Sequence, residues 1–206
     1  MIKKLQALRA KKGFTLVELI VVIAIIGVLA AILVPTMMGM VTKSRVTSAD
    51  QTAKSLADTV TTWMSDLEAN AGIIPASSTA IYIEISGKCA DAGWSGTVKA
   101  EGFKLNSSDD GTKAVDKLKT KLNDDYNFNN DMSAIVCVKN RKVIGCAYSD
   151  TATAVATLES EFKDTTFTSG GYAWDTKTDG VGGDALGGVI IGTSPKCTMD
   201  KVAAAT

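Results

Sequence analysis

The chain contains no histidine. That absence removes every Ser-His-Asp or Cys-His nucleophilic arrangement. It also takes away zinc's usual nitrogen ligand, and no two of the four cysteines show C-x-x-C spacing, so a zinc centre is not expected. Proline is scarce, three residues in 206, which excludes a proline-rich linker or polyproline segment. No P-loop or dinucleotide fingerprint is present, because the glycines from Gly180 to Gly192 lack a strand–turn–helix context. A Ser-Lys dyad or a carboxylate pair has no support in the spacing. No enzymatic activity and no cofactor are expected.

Acids are missing from the first 13 residues, where Lys3, Lys4, Arg9, Lys11 and Lys12 stand alone. Such a basic end stays cytoplasmic and sends the rest of the chain outward. Residues Phe14 to Val34 are almost wholly apolar, and about 20 such residues cross a bilayer as one helix. One carboxylate, Glu18, interrupts them. A lone acid there costs roughly 3 kcal/mol on insertion scales, which marks it as functional rather than incidental. No small-residue cleavage site follows the apolar run, which meets Pro35 and then Thr36-Met37-Met38-Gly39-Met40. The processing point therefore falls before the run, at Gly13-Phe14.

The run Gly13 to Pro35, GFTLVELIVVIAIIGVLAAILVP, resembles the class III signal of type IV pilins and related pseudopilins. The resemblance covers the first fifth to quarter of the chain. It implies cleavage after Gly13 by a membrane prepilin peptidase and N-methylation of Phe14. Glu18 matches the acid that the family uses in assembly, and Pro35, with Gly39, the place where its helix kinks or melts. A helix N-terminus leaves backbone N–H groups unpaired, and cleavage adds a free amine. A neighbour's Glu18 would satisfy the Phe14 amine in a dry setting, where charge pairs are strong when both partners are present.

Beyond the apolar run, Val46, Ala49, Ala53, Leu56, Val60, Trp63 and Leu67 fall at spacings of three and four, one face of a helix. Ala71-Gly72 and Pro75 stop it. One helix of about 55 residues follows. The predicted fold class is α+β: this long N-terminal helix, its first half transmembrane, packed against a small antiparallel sheet head, as in pilins. The predicted divisions are a cleaved leader 1–13, an apolar helix 14–40, its amphipathic continuation 41–72 and a head 73–206. Within the head, Ile81, Ile83 and Ile85 share one face of a strand. Thr112 to Asn123 reads as a short helix, and Ser133–Lys139 with Lys142–Tyr148 as a hairpin about Asn140-Arg141. A further helix is expected at Val155, Leu158 and Phe162. Short strands are expected at 165–168, 172–174 and 188–191.

Cys89, Cys137, Cys146 and Cys197 all lie in the exported part, where an even number suggests two disulfides of open connectivity. Free buried thiols are the alternative. The resemblance to pilins, which often enclose a surface region this way, implies that Cys197 is bridged. Asp125, Asn127, Asn129 and Asp131 alternate like the start of a calcium loop, but Asn130 and Val136 stand where glycine and a bidentate acid belong. Asp175, Asp179 and Asp184 are a second weak calcium set. Asn106-Ser107-Ser108 matches a glycan acceptor triplet. The 22 basic and 22 acidic residues become 17 against 22 once the leader is removed, a net charge of −5 with no footprint for nucleic acid. Lys113, Lys117, Lys119 and Lys121 form a local basic set on a solvated helix face.

The expected function is a structural pilin subunit of a type IV pilus. It starts as a single-pass precursor in the cytoplasmic membrane and ends in an extracellular helical filament serving adhesion, motility or DNA uptake. Implied partners are identical subunits, minor pilins, the peptidase, and an assembly ATPase acting through a platform protein. Two alternatives carry different consequences. One is a pseudopilin of a type II secretion or competence system, disfavoured by the larger, cysteine-rich head. The other is a membrane-tethered carbohydrate-binding adhesin using Trp94, Tyr172 and Trp174.

Overall fold

The computed structural model describes residues 14–151 and 190–195. Helix α1, Leu16–Ala69, spans 54 residues. It is followed by β1 (Ile81–Lys88), β2 (Ser95–Lys99), α2 (Thr112–Asp125), β3 (Met132–Lys139), β4 (Lys142–Ser149) and β5 (Ile191–Ser194). The chain divides between Val41 and Thr42 into two compact units. In the first, α1 is helical through both Pro35 and Gly39. The apolar side chains described there are exposed throughout.

In the second unit the strands form one antiparallel sheet in the order β2-β1-β3-β4-β5. The stripe read from the sequence is the buried face of α1 from Ala49 on: Ala49, Ala53, Leu56, Val60, Trp63 and Leu67 are at most 6% exposed, while Val46 is half-buried. They share one core with Ile83 and Ile85 of β1, Ala134 and Val136 of β3, Cys146 and Tyr148 of β4, and Ala114, Leu118 and Leu122 of α2. The period of 3.6 in the helices and of two in the strands puts these residues on facing surfaces. β3 is buried on both faces over Met132–Val138.

Helix α1 ends in a Schellman arrangement, with Gly72 N–H donating to Leu67 C=O (2.7 Å) and Ala71 N–H to Glu68 C=O (3.1 Å). Ala71 takes the left-handed position (φ 55°) that glycine fills more cheaply. The β3–β4 hairpin turns at Asn140 and Arg141, both at positive φ, as a two-residue type I′ connection requires. β2 was not expected from the sequence. Its only buried residue is Val98, and it is held by pairing with β1 from Glu84↔Lys99 to Lys88↔Ser95. Within that ladder Gly87 faces Gly96, and a Cβ on either would strike the backbone of the other strand. Of the other expected strands and the helix at 155–162, only Ile190 and Ile191 fall among the described residues, Ile191 as the first residue of β5.

No side chain caps α2 at Gly111. Asp109, 3% exposed, does the work from two residues upstream. Its carboxylate accepts the N–H of Leu105 (2.8 Å), Lys113 (3.2 Å) and Ala114 (3.1 Å). The Leu105 N–H foremost, with those of Lys113, Gly111 and Ala114, holds the Asp109 carboxyl below the ordinary range, against the opposing effect of its burial. A depressed native pKa contributes stability above the unfolded value, and this is lost as pH falls through the folded one. The melting temperature of the head is therefore expected to decline below about pH 4. Asp109→Asn should lower it at neutral pH and flatten that acid limb; an acid limb unchanged in Asp109→Asn would remove Asp109 as its source.

Candidate functional site: the N-terminal helix and its capping box

The first turn of α1 is a closed set of hydrogen bonds. Glu18 Oε2 accepts both the Thr15 backbone N–H (2.8 Å) and the Thr15 hydroxyl (2.7 Å), while Glu18 N–H donates to Thr15 Oγ1 (3.3 Å). Thr15 is thus the N-cap and Glu18 the third helical residue of a capping box. Both contacts to the carboxylate fall on Oε2, and Oε1 makes no hydrogen bond among the described residues. Phe14, just outside the box, is 75% exposed. The T-x-x-E spacing was present in the sequence as a helix-start signature. The expectation of an intersubunit role for Glu18 passed over this local one.

Downstream of the box, Leu16–Val34 is long and apolar enough to cross a membrane, and none of it is buried. Exposure continues at Met37, Met40 and Val41. A contiguous apolar surface of this size marks a membrane or protein contact.

Three of the four cysteines lie among the described residues. Cys89 and Cys146 carry free thiols, and no disulfide joins Cys89, Cys137 and Cys146 to one another. Cys146 pairs in register with Val136 and Cys137 with Gly145. Successive residues of a strand point to opposite faces, so the two sulfurs lie on opposite sides of the sheet. Burial pushes the Cys146 thiol far up, which makes it inert. Cys89, half-buried, accepts from Phe128 N–H (3.3 Å) and donates to Tyr126 C=O (3.2 Å). Cys197, which the resemblance to pilins implies is bridged, lies outside the described residues.

The alternation at Asp125, Asn127, Asn129 and Asp131 has another cause. Tyr126 and Phe128 point inward, their rings stacked 4.9 Å apart, and Phe128 also meets Trp94 edge-on (6.3 Å) and Tyr148 (5.9 Å). The polar residues between them face water as a result. Among the described residues no cluster of three metal-ligating side chains exists. Asp175, Asp179 and Asp184 lie outside the described residues.

Trp94 belongs to the same aromatic group, with its indole N–H bonded to Ser86 C=O (3.3 Å), and is partly buried against the core. Tyr172 and Trp174, its expected partners in a sugar platform, lie outside the described residues. The lysines of α2 border a groove of about 700 Å³ beside the end of α1. Lys113, Lys117 and Lys121 alternate there with Asp66, Asp116, Asp124 and Asp125, and Lys119 pairs with Asp116 at 3.6 Å. The groove has no single sign of charge.

An apolar N-terminal helix with a capping box, followed in the chain by a five-stranded antiparallel head, defines an α+β architecture consistent with the pilin fold. Residues 8–34 match the family model of the prokaryotic N-terminal methylation motif. The chain is 44% identical over 55 residues to a fimbrial protein of Moraxella nonliquefaciens, covering 27% of this chain and 36% of that one. It is 39% identical over 82 residues to fimbrial protein EcpC of Eikenella corrodens, covering 39% and 51%. It is 55% identical over 40 residues to the type IV major alpha-pilin of Moraxella bovis, covering 19% and 25%. The aligned part thus spans about a quarter to a half of these relatives. No solved structure matches the chain. Together the motif, the relatives and the architecture support the type IV pilin family, with the similarity carried by the N-terminal segment.

Proposed function

We propose that the chain is a structural subunit of a type IV pilus. It is cut after Gly13, methylated at Phe14 and assembled into a surface filament for adhesion, motility or DNA uptake. A prepilin peptidase, a platform protein and its ATPase, and further copies of the chain are its partners. The observation that carries the reading is the fully exposed apolar stretch Leu16–Val34, closed at its start by the Thr15–Glu18 box. Packing of that stretch against neighbouring helices replaces its contacts with lipid, and keeps it out of water once the subunit leaves the bilayer, where exposure would cost about 25 cal/mol per Å². Pro35 and Gly39 are where the helix would bend or melt, once packing against neighbours satisfies the freed backbone groups.

The box divides the two tasks of Glu18 between its oxygens. Oε2 caps its own helix, and Oε1 is left for the Phe14 amine of an adjoining subunit. Glutamine preserves a capping box but carries no charge. Glu18→Gln is therefore expected to insert in the membrane with normal helicity, yet to yield no filaments in electron micrographs of shed material labelled with antibody to the head. Glu18→Ala should fail equally. Normal fibres from Glu18→Gln would reduce Glu18 to a helix cap. Mass spectrometry of the mature N-terminus should find methyl-Phe14, and an uncut leader would remove the processing step.

A further inference from the structure

We propose that Asn106 is an N-glycosylation acceptor, its amide nitrogen taking a saccharide from a polyprenyl-diphosphate donor on the exported side of the membrane. Asn106-Ser107-Ser108 is the single N-x-S/T triplet in the chain, and its middle residue is not proline. All three residues are exposed, in the turn that precedes α2. Asn106 Oδ1 accepts both the Ser108 N–H (3.0 Å) and the Ser108 hydroxyl (2.7 Å), an Asx-turn completed by the serine side chain. Asp109 N–H donates to Asn106 C=O (3.1 Å). The buried Asp109 carboxylate meanwhile ties Leu105 to the first turn of α2. The turn is thus presented on a fixed base. Among the described residues Nδ2 makes no hydrogen bond.

This geometry suits the reaction. An amide nitrogen is a poor nucleophile because its lone pair is delocalised into the carbonyl. Two donors on Oδ1 stabilise negative charge that builds there as a proton leaves Nδ2, so deprotonation is eased. In the transfer, a base of the transferase removes one Nδ2 proton and the N–C bond forms to the anomeric carbon. The C–O bond to the diphosphate breaks, and polyprenyl diphosphate leaves with that electron pair. No oxidation or reduction occurs. The Ser108 hydroxyl supplies the shorter of the two hydrogen bonds that hold and polarise the amide, and Ser108→Ala removes that one while keeping the backbone N–H bond.

The inference rests on export of the head, as in the proposed function, but not on filament formation. The test is peptide mass spectrometry of the full chain from its own cells, after proteolysis. The fragment containing Asn106 is expected to carry a saccharide on Nδ2. Occupancy should fall to background in Asn106→Gln and in Ser108→Ala, and be retained in Ser108→Thr. An unmodified Asn106, a saccharide on a serine oxygen, or full occupancy in Ser108→Ala would overturn the proposal. Protease accessibility of the head in intact cells reports export separately. An accessible but unmodified head refutes the glycan alone, and an inaccessible one removes export and the glycan together. Thermal melts of the variants show that the exposed turn, not folding, is altered.

Discussion

Gly192→Ala dislodges β5 from α1 and costs the head about 3 kcal/mol or more. β5 lies beside β4, and Gly192 pairs in register with Tyr148, on the face toward the helix. A Cβ on Gly192 would overlap backbone atoms of Ala49 and Asp50. Those atoms belong to the helix itself, so no side chain can swing aside to make room. Overpacking of this kind typically costs 1–3 kcal/mol where neighbours adjust, and more where they cannot. The same contact carries a hydrogen bond, Thr193 N–H to Asp50 Oδ1 at 2.9 Å, which would be lost with it. Asp50→Ala removes that bond without the steric overlap and is expected to cost only about 1.5–3 kcal/mol, the range for a charged acceptor. Urea unfolding in detergent measures both variants, and hydrogen exchange at the Thr193 amide reports whether β5 stays seated. A Gly192→Ala protein with unchanged midpoint and unchanged protection at Thr193 would show that the strand does not approach the helix so closely.

Trp63→Ala removes the centre of the core and is expected to cost roughly 3–5 kcal/mol. Trp63 is 1% exposed. Its ring stands 5.1 Å from that of Phe103, and its indole N–H donates to Ala114 C=O at 2.9 Å. One side chain thereby joins α1, the 100–105 loop and α2. Truncation leaves a cavity and deletes the indole hydrogen bond to α2, and domains are stable by only about 5–15 kcal/mol. Trp63→Phe keeps much of the apolar volume and loses the donor, so its expected cost is smaller, about 1–2 kcal/mol. Circular dichroism through a urea titration separates the two. A cost below about 1 kcal/mol for Trp63→Ala would mean that this core tolerates a void, contrary to dense packing.

Helix α1 and the β3–β4 hairpin were legible because each has a period. Apolar residues at three and four announce a helix face, and a run of Val, Ile and Cys on either side of Asn140-Arg141 announces two strands. The last turn of α2 and the extra residues of β1 were missed only at their ends, where fraying and pairing rather than pattern set the boundary. β2 was illegible for a different reason. Ser95, Gly96, Thr97 and Lys99 are exposed, so the strand exists through hydrogen bonds to β1 and leaves almost no hydrophobic trace. The polar alternation after Asp125 was read as only a weak calcium pattern. Its period of two coincides with the inward rings of Tyr126 and Phe128, between which the polar residues are exposed.

The N-terminal segment was determined by composition and position alone: a basic start, a glycine, one acid and an unbroken apolar stretch are properties of the linear chain. Its Thr15–Glu18 bonds are likewise local, spanning three residues. What the tertiary structure decided is everything that depends on which residues meet across long separations. The two central cysteines are sent to opposite faces of a sheet, Trp63 of α1 reaches Ala114 of α2, and a glycine near the end of the chain rests on the helix near its beginning. Sequence spacing carries no information about such meetings, because they follow from the packing of α1, α2 and the sheet around one core.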